Sequence, residues 1–117
     1  MNALTALRLR QHPREFGRAV THVETAEAPV IAELSERFVQ AIHYHGLVEI
    51  EYKRDPRDGR YKLLDVNARA WGFHALGAAA GVDFTWLLYA DRTGLPVELV
   101  RARAGVGWLR LLTDVPA

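Results

Sequence analysis

The sequence predicts an α+β fold in which an antiparallel sheet has helices packed on one face. Near the centre of the chain, two runs in which apolar and polar residues alternate flank a strong turn signal, and this pattern is typical of a β-hairpin. Apolar residues at helical spacing precede this hairpin, and an alanine-rich helical segment follows it. Because a hairpin pairs its strands antiparallel, the predicted order of strand, strand, helix, hairpin, helix, helix, strand favours an α+β layer architecture.

The first elements are predicted from alternation and from helical spacing. Partial alternation predicts strands over 4–10 and 18–24. A helix should follow, with Thr25 as its N-cap, Pro29 in its first turn and Gly46 at its end. The apolar face of this helix comprises Ile31, Leu34, Phe38, Val39 and Ile42.

The later elements begin with the hairpin. Its strands are predicted over 47–53 and 61–67, on either side of the turn sequence RDPRDGR. An apolar helix over 71–80 should end at Gly81, and a further helix should begin at Asp83 or Thr85 and end at Gly94. One or two short strands are expected within 97–112.

The composition is that of an ordinary globular domain. The 117 residues are half apolar, so we expect one domain over residues 1–117 with the three tryptophans in its core. Fifteen basic residues nearly balance fourteen acidic ones, so the chain has no overall electrostatic field that would attract nucleic acid or an anionic membrane. The absence of cysteine excludes disulfides and thiolate metal sites. No signal peptide or membrane-spanning stretch is predicted, so we expect a soluble cytoplasmic protein.

The hairpin carries the most informative pattern. If its centre lies at Asp58, residues whose numbers sum to about 116 are directly opposed and point to the same face. Glu51 then faces Asp65, and Glu49 faces Asn67. We call these four residues, Glu49, Glu51, Asp65 and Asn67, the acidic face. The opposite face, which should pack on the core, comprises Val48, Ile50, Tyr52, Leu64 and Val66.

Three carboxylates on one sheet face repel one another unless a cation lies among them. Oxygen ligands without His or Cys suit Mg²⁺ or Mn²⁺, and Mg²⁺ commonly takes its remaining ligands from a nucleotide's phosphates. The alternative is a solvated polar face whose countercharge comes from Arg54, Arg60 or Arg69. The same register places Lys53 opposite Leu63.

Two short motifs on the hairpin resemble the metal-binding end of the ATP-grasp superfamily. The first is Glu51-Tyr52 within VEIEYKRD, and the second is Asp65-Val66-Asn67 within LLDVNAR, completed by Arg69. The following WGFHALGAAAGVDF also resembles the family segment after the second motif. The likeness extends over most of the chain and is closest to ATP-grasp proteins that resemble carboxylate–amine ligases.

The resemblance implies a C-terminal ATP-grasp subdomain that binds Mg²⁺ (or Mn²⁺) and ATP. By it, Glu51, Asp65 and Asn67 ligate two Mg²⁺ ions that bridge the ATP phosphates, and Glu49 on the same face joins them as a candidate ligand. Arg69 is the candidate catalytic residue, in contact with a phosphate or the acyl substrate. In this family a carboxylate is activated as an acylphosphate, which an amine or a thiol then attacks.

Two departures from the family pattern define the rival interpretations. The second motif has Asp65 where the family usually has glutamate, and the chain has two lysines and no glycine-rich phosphate loop. One interpretation is the truncated metal-binding part of a ligase, completed by a partner chain, a longer gene product or a second copy. The other is a non-catalytic remnant that serves as an interaction or oligomerisation module. A Mg²⁺-dependent hydrolase using the same carboxylates ranks last, because no activated nucleophile is evident.

Overall fold

A computed structural model describes residues 3–12 and 19–109 of the chain. Antiparallel strands and helices make up these residues, so the expected α+β class is confirmed. In chain order the elements are β1 (Ala6–His12), β2 (Ala19–Thr25), α1 (Pro29–Ala41), β3 (Glu49–Arg54), β4 (Tyr61–Asn67), α2 (Leu76–Ala80), α3 (Phe84–Thr93) and β5 (Gly107–Leu109). Residue 18 and residues 110–112, which the sequence assigns to strands, lie outside the described residues.

The strands form two antiparallel sheets. One sheet has the order β1-β2-β5, and the other consists of β3 and β4. The chain divides into two compact units, one made of Met1–Glu27 with Gly72–Ala117 and the other of Ala28–Trp71. The three-stranded sheet belongs to the first unit, and α1 with the hairpin belongs to the second. No helix in the described part of the chain is long and apolar enough to cross a membrane.

Helix α1 is shorter than predicted at both ends. Pro29 lies in its first turn as expected, but the residue at the N-cap position is Ala28, whose side chain forms no capping hydrogen bond. The helix ends before Ile42 and not at Gly46, because His43 adopts a left-handed conformation with φ of 54°. The predicted apolar face is half-buried along the helix, except for Ile42, which is exposed.

Thr25 does not cap α1 because it completes β2, where its side chain is buried. Its hydroxyl donates a hydrogen bond to the Arg103 carbonyl at 2.5 Å and accepts one from the Val106 backbone N–H at 2.9 Å. Its backbone N–H also donates to the Val106 carbonyl at 2.8 Å. One threonine therefore ties the end of β2 to the segment that leads into β5.

We expect Thr25→Val to lower the free energy of unfolding by about 1–3 kcal/mol. The isosteric valine removes the hydroxyl and leaves the Arg103 carbonyl and the Val106 N–H without that partner. Urea unfolding measures the change. Thr85→Val, at an exposed threonine in α3, is the control and should change the free energy by less than about 0.5 kcal/mol. Equal effects of the two variants would contradict the role of Thr25.

The core of the first unit forms around α2, α3 and β2. α2 begins at Leu76, five residues later than the predicted start, and ends as predicted at Gly81, whose φ is 97°. The side chain of Asp83 caps α3 by accepting a hydrogen bond from the Trp86 backbone N–H at 3.1 Å, and Gly94 ends the helix as predicted. Among the described residues of this unit, the buried apolar side chains are those of Val23, Leu76, Ala80, Val82, Phe84 and Ala90.

The tryptophans depart in part from their expected place in the core. Trp71 is buried, and Trp108 is half-buried with its ring centroid 6.1 Å from that of Phe73. Trp86 is 50% exposed, and its ring contacts that of Tyr89 on the surface of α3. The prediction for Trp86 is therefore wrong, because the buried face of α3 is formed through Phe84 and Ala90.

Candidate functional site

The hairpin register brings the four residues of the acidic face together as predicted. Glu49 is directly opposite Asn67, and Glu51 is directly opposite Asp65. Alternation along each strand then directs all four side chains to one side of the hairpin. Glu49, Glu51 and Asn67 are half-buried and Asp65 is exposed, so the face is open to a dissolved ligand.

A β-bulge changes the register beyond Glu51. It shifts the pairing by one residue, so that Tyr52 is opposite Leu63 and Lys53 is opposite Lys62. The predicted Lys53–Leu63 pair is therefore wrong. The bulge leaves Leu64 as the additional residue of β4, which removes it from the regular alternation. Leu64 is accordingly 56% exposed, so the prediction that it lies on the core-facing side is wrong.

The side-chain amide of Asn67 connects the carboxylates of the acidic face. Its Nδ2 donates hydrogen bonds to Glu49 Oε1 at 3.2 Å and to Asp65 Oδ2 at 3.0 Å. Because ionised carboxylates only accept hydrogen bonds, the amide nitrogen must be the atom that faces them. Its Oδ1 is therefore the atom that Asn67 can offer to a cation.

Hydrogen bonds on and near the hairpin hold the acidic face in place. Asp65 Oδ1 accepts a hydrogen bond from the Val66 backbone N–H at 2.9 Å, which restricts the rotation of this carboxylate. On the opposite side, the hydroxyls of Tyr52 and Ser35 lie 3.1 Å apart and join β3 to α1. The face is thus carried by two paired strands that are anchored to a helix.

Two of the three arginines proposed as countercharges, Arg54 and Arg69, donate to backbone carbonyls. Arg54 Nε donates to the Gly59 carbonyl at 3.3 Å, and a terminal nitrogen of Arg69 donates to the Ala70 carbonyl at 3.2 Å. Arg69 is exposed and lies two residues beyond Asn67 in the chain. Arg69 therefore lies just beyond the end of β4.

The hairpin turn has its own ion pairs. Arg57 forms a salt bridge with Asp55 at 2.9 Å, and Lys62 Nζ lies 2.9 Å from Asp58 Oδ2. The hydrogen bond from the Arg57 side chain lowers the pKa of Asp55, and that from Lys62 lowers the pKa of Asp58. Both carboxylates are therefore held in their charged form by cations of the hairpin itself.

The donor set fits a hard divalent cation that also binds a second ligand. Within residues 3–12 and 19–109, no group of three or more His, Cys, Asp or Glu side chains converges closely enough to hold a metal alone. Mg²⁺ is usually held by one or two carboxylates together with substrate phosphates, and it keeps several water ligands. Glu51, Asp65 and the Oδ1 of Asn67 match that partial set, so the residues fit Mg²⁺ if phosphate oxygens complete the shell.

Lys62 occupies the position opposite Lys53 that the sequence interpretation gave to Leu63. The bulge puts it on the side of the hairpin that carries the acidic face, directly opposite Lys53. The adjacent leucines 63 and 64 were the available signal, because one of them is surplus to an alternating pattern that already contains Val66. The opposed pair Lys53 and Lys62 therefore lies next to the opposed pair of carboxylates on this side of the hairpin.

Comparisons with known proteins agree with the motifs. A family model described as "ATP-grasp in the biosynthetic pathway with Ter operon" matches residues 4–110, which are most of the chain and include every residue of the acidic face. No curated protein matches the chain. No solved structure matches it either.

Proposed function

The chain belongs to the ATP-grasp family that matches residues 4–110, and we propose that its acidic face binds Mg²⁺ together with the phosphates of ATP. Membership supports a ligase-like function that uses ATP. The observation that carries the site assignment is the register of the hairpin, which opposes Glu51 to Asp65 and Glu49 to Asn67.

The proposed ligands are the carboxylates of Glu51 and Asp65 and the Oδ1 of Asn67. Glu49 is proposed as a fourth ligand, and its carboxylate accepts a hydrogen bond from Asn67 Nδ2. The same nitrogen donates to Asp65, so coordination of a cation by Asn67 Oδ1 would require the amide to turn and release these hydrogen bonds. A bound Mg²⁺ would neutralise negative charge that develops on the transferred phosphoryl group.

We propose that the reaction is the activation of a carboxylate followed by its capture. A carboxylate oxygen attacks the terminal phosphorus of ATP, the bond from that phosphorus to the bridging oxygen breaks, and ADP leaves. An amine or a thiol then attacks the carbonyl carbon of the acylphosphate, loses its proton and displaces phosphate. Arg69 is proposed to bind an oxygen of the phosphoryl or acyl group through its planar guanidinium.

The rest of the nucleotide site is proposed to come from outside the hairpin. In the family that this chain resembles, lysines and a glycine-rich loop cover the nucleotide from another subdomain. The sequence contains two lysines, both on the hairpin strands, and no such loop. We place those contacts in a partner polypeptide, in a further part of the gene product or in a second copy of the chain.

A non-catalytic interaction module is the second candidate function. Its support is the exposure of large apolar side chains, among them Leu99 at 75% and Tyr89 at 57%. Such side chains favour association when they are contiguous. Light scattering tests this candidate, because a well-behaved monomer at high concentration would contradict it.

Isothermal titration of the chain with ATP tests the proposed nucleotide site. We expect heat of binding when Mg²⁺ is present and a loss of that heat when EDTA removes the cation, because the carboxylates repel a bare polyphosphate. Absence of binding at millimolar Mg-ATP, also with candidate partner chains present, would contradict the proposal. Binding that is equally strong with EDTA would also contradict it, since the acidic face would then not be the site.

A further inference from the structure

The β-bulge between β3 and β4 makes a cationic pair out of the two lysines of the chain. Lys53 and Lys62 are directly opposed in the register, and both are exposed. They follow Glu51 and Asp65 on the same side of the hairpin, because Lys53 lies two residues after Glu51 on the regularly alternating strand β3. A pair of cations therefore adjoins a pair of carboxylates.

Two ammonium groups that lie opposite each other repel, and a bound anion can offset the free energy that this repulsion costs. Like charges directly opposite each other in an antiparallel pair destabilise the sheet. Lys62 Nζ lies 2.9 Å from Asp58 Oδ2, so one of the two charges is partly balanced from the turn. That bond also holds the Lys62 ammonium in position.

The separation of the two pairs suits one ligand that carries both a cation and negative oxygens. Successive side chains on one face of a strand are about 7 Å apart along the strand. A lysine side chain spans such a distance, so the two ammonium groups can approach an anion that is centred on the neighbouring carboxylate pair. A polyphosphate with a bound divalent cation has this arrangement of charge.

We propose that Lys53 and Lys62 form an anion site that binds phosphate oxygens of the nucleotide next to the acidic face. The inference rests on the proposed function, because it assigns the phosphate contacts of that same site. The chemical class of the ligand is a polyphosphate in complex with a divalent cation. The hairpin alone then supplies ligands to the cation and cationic partners to the phosphate oxygens.

The test compares lysine variants with a matched arginine variant of the turn. Lys53→Gln with Lys62→Gln should weaken binding of Mg-ATP and of magnesium pyrophosphate by about tenfold or more, because charge-assisted hydrogen bonds to phosphate are lost. Binding of MnCl₂ alone should be unchanged or tighter, because two positive charges near the cation are removed. Lys53→Arg with Lys62→Arg keeps both charges and should retain most of the affinity for Mg-ATP.

Arg57→Gln is the control, since it removes one positive charge from the same hairpin at an exposed residue that pairs with Asp55. If the control weakens Mg-ATP binding as much as the double glutamine variant does, a general loss of charge explains the effect and the inference is overturned. Equal affinity of the wild-type chain and the double glutamine variant for Mg-ATP overturns the inference alone. Failure of the wild-type chain to bind either MnCl₂ or Mg-ATP refutes the proposed function, and the inference falls with it.

Discussion

Asp65→Asn should reduce the affinity of the chain for Mg-ATP by about tenfold or more, because it removes one of the two directly opposed carboxylates. An amide keeps the size of the side chain and an acceptor for the Val66 N–H, which Asp65 Oδ1 engages in the wild type. The variant therefore removes the negative charge together with the hydrogen bond from Asn67 Nδ2 to Asp65 Oδ2. Isothermal titration with Mg-ATP measures the change.

The same variant should leave the unliganded hairpin as stable as the wild type or make it more stable. Glu51 and Asp65 are opposed like charges, and neutralising one of them relieves their repulsion. A thermal melt should therefore show an unchanged or higher Tm without cation and a smaller rise in Tm when Mg-ATP is added. This combination separates a binding residue from a structural one, since loss of a structural residue lowers Tm without ligand.

Asp55→Asn is the matched control for this variant. It makes the same chemical change on the same hairpin. The asparagine retains an oxygen that can accept the hydrogen bond from the Arg57 backbone N–H, as Asp55 Oδ1 does in the wild type. Its affinity for Mg-ATP should equal that of the wild type. If Asp65→Asn binds Mg-ATP as tightly as the control does, the non-catalytic module becomes the better account of the chain.

Gly77→Ala should destabilise the first unit by about 3 kcal/mol or more, which is a large part of the 5–15 kcal/mol typical of a domain. A Cβ at this position would overlap the Val82 carbonyl oxygen and lie 2.6 Å from Phe84 Cδ2. The oxygen belongs to the backbone of the turn between α2 and α3. That turn is fixed to the same glycine by the hydrogen bond from the Val82 N–H to the Gly77 carbonyl at 2.7 Å.

Gly72→Ala is the control for Gly77→Ala, because no atom beyond the residue and its two chain neighbours lies within 4 Å of a Cβ built there, and the backbone φ is not positive. Its free energy of unfolding should stay within about 0.5 kcal/mol of the wild-type value. Urea unfolding of both variants measures the difference. Similar stabilities of the two variants would show that the turn over 81–84 can move away from α2 at little cost.

The hairpin was predictable because its determinants are local. The turn sequence around Asp58 set the centre of the hairpin, and alternation set the faces, so the pairs Glu51–Asp65 and Glu49–Asn67 followed from the sequence. The bulge at Leu64 was not predictable in the same way. Two adjacent leucines satisfy an apolar pattern in either register, and only the paired backbone shows which one is the additional residue.

Contacts between distant parts of the chain explain the other errors. Threonine is a residue type favoured at helix N-caps, but the hydroxyl of Thr25 forms hydrogen bonds with Arg103 and Val106, which are 78 and 81 residues away. Local sequence carries no sign of these partners. The pairing of β2 with β5 is similarly distant, so the division of the strands into two sheets was not evident from the sequence.

The grouping of the candidate residues was predictable, but their hydrogen bonds were not. Opposed residues and oxygen chemistry identified Glu49, Glu51, Asp65 and Asn67 as a group, and the family match to residues 4–110 is consistent with the motifs that they form. The bridging role of the Asn67 amide depends on side-chain rotamers, which the sequence does not fix. The assignment of each residue to a ligand role stays a prediction.

A titration of the isotope-labelled chain with MnCl₂ in the presence of ATP locates the cation most directly. Paramagnetic Mn²⁺ broadens the backbone amide signals of nearby residues, and diamagnetic Mg²⁺ serves as the reference. We expect the strongest broadening at Glu49, Glu51, Asp65 and Asn67. Broadening that is strongest at Asp55 and Asp58 in the turn, or that is equal along the chain, would contradict a divalent-cation site on the acidic face.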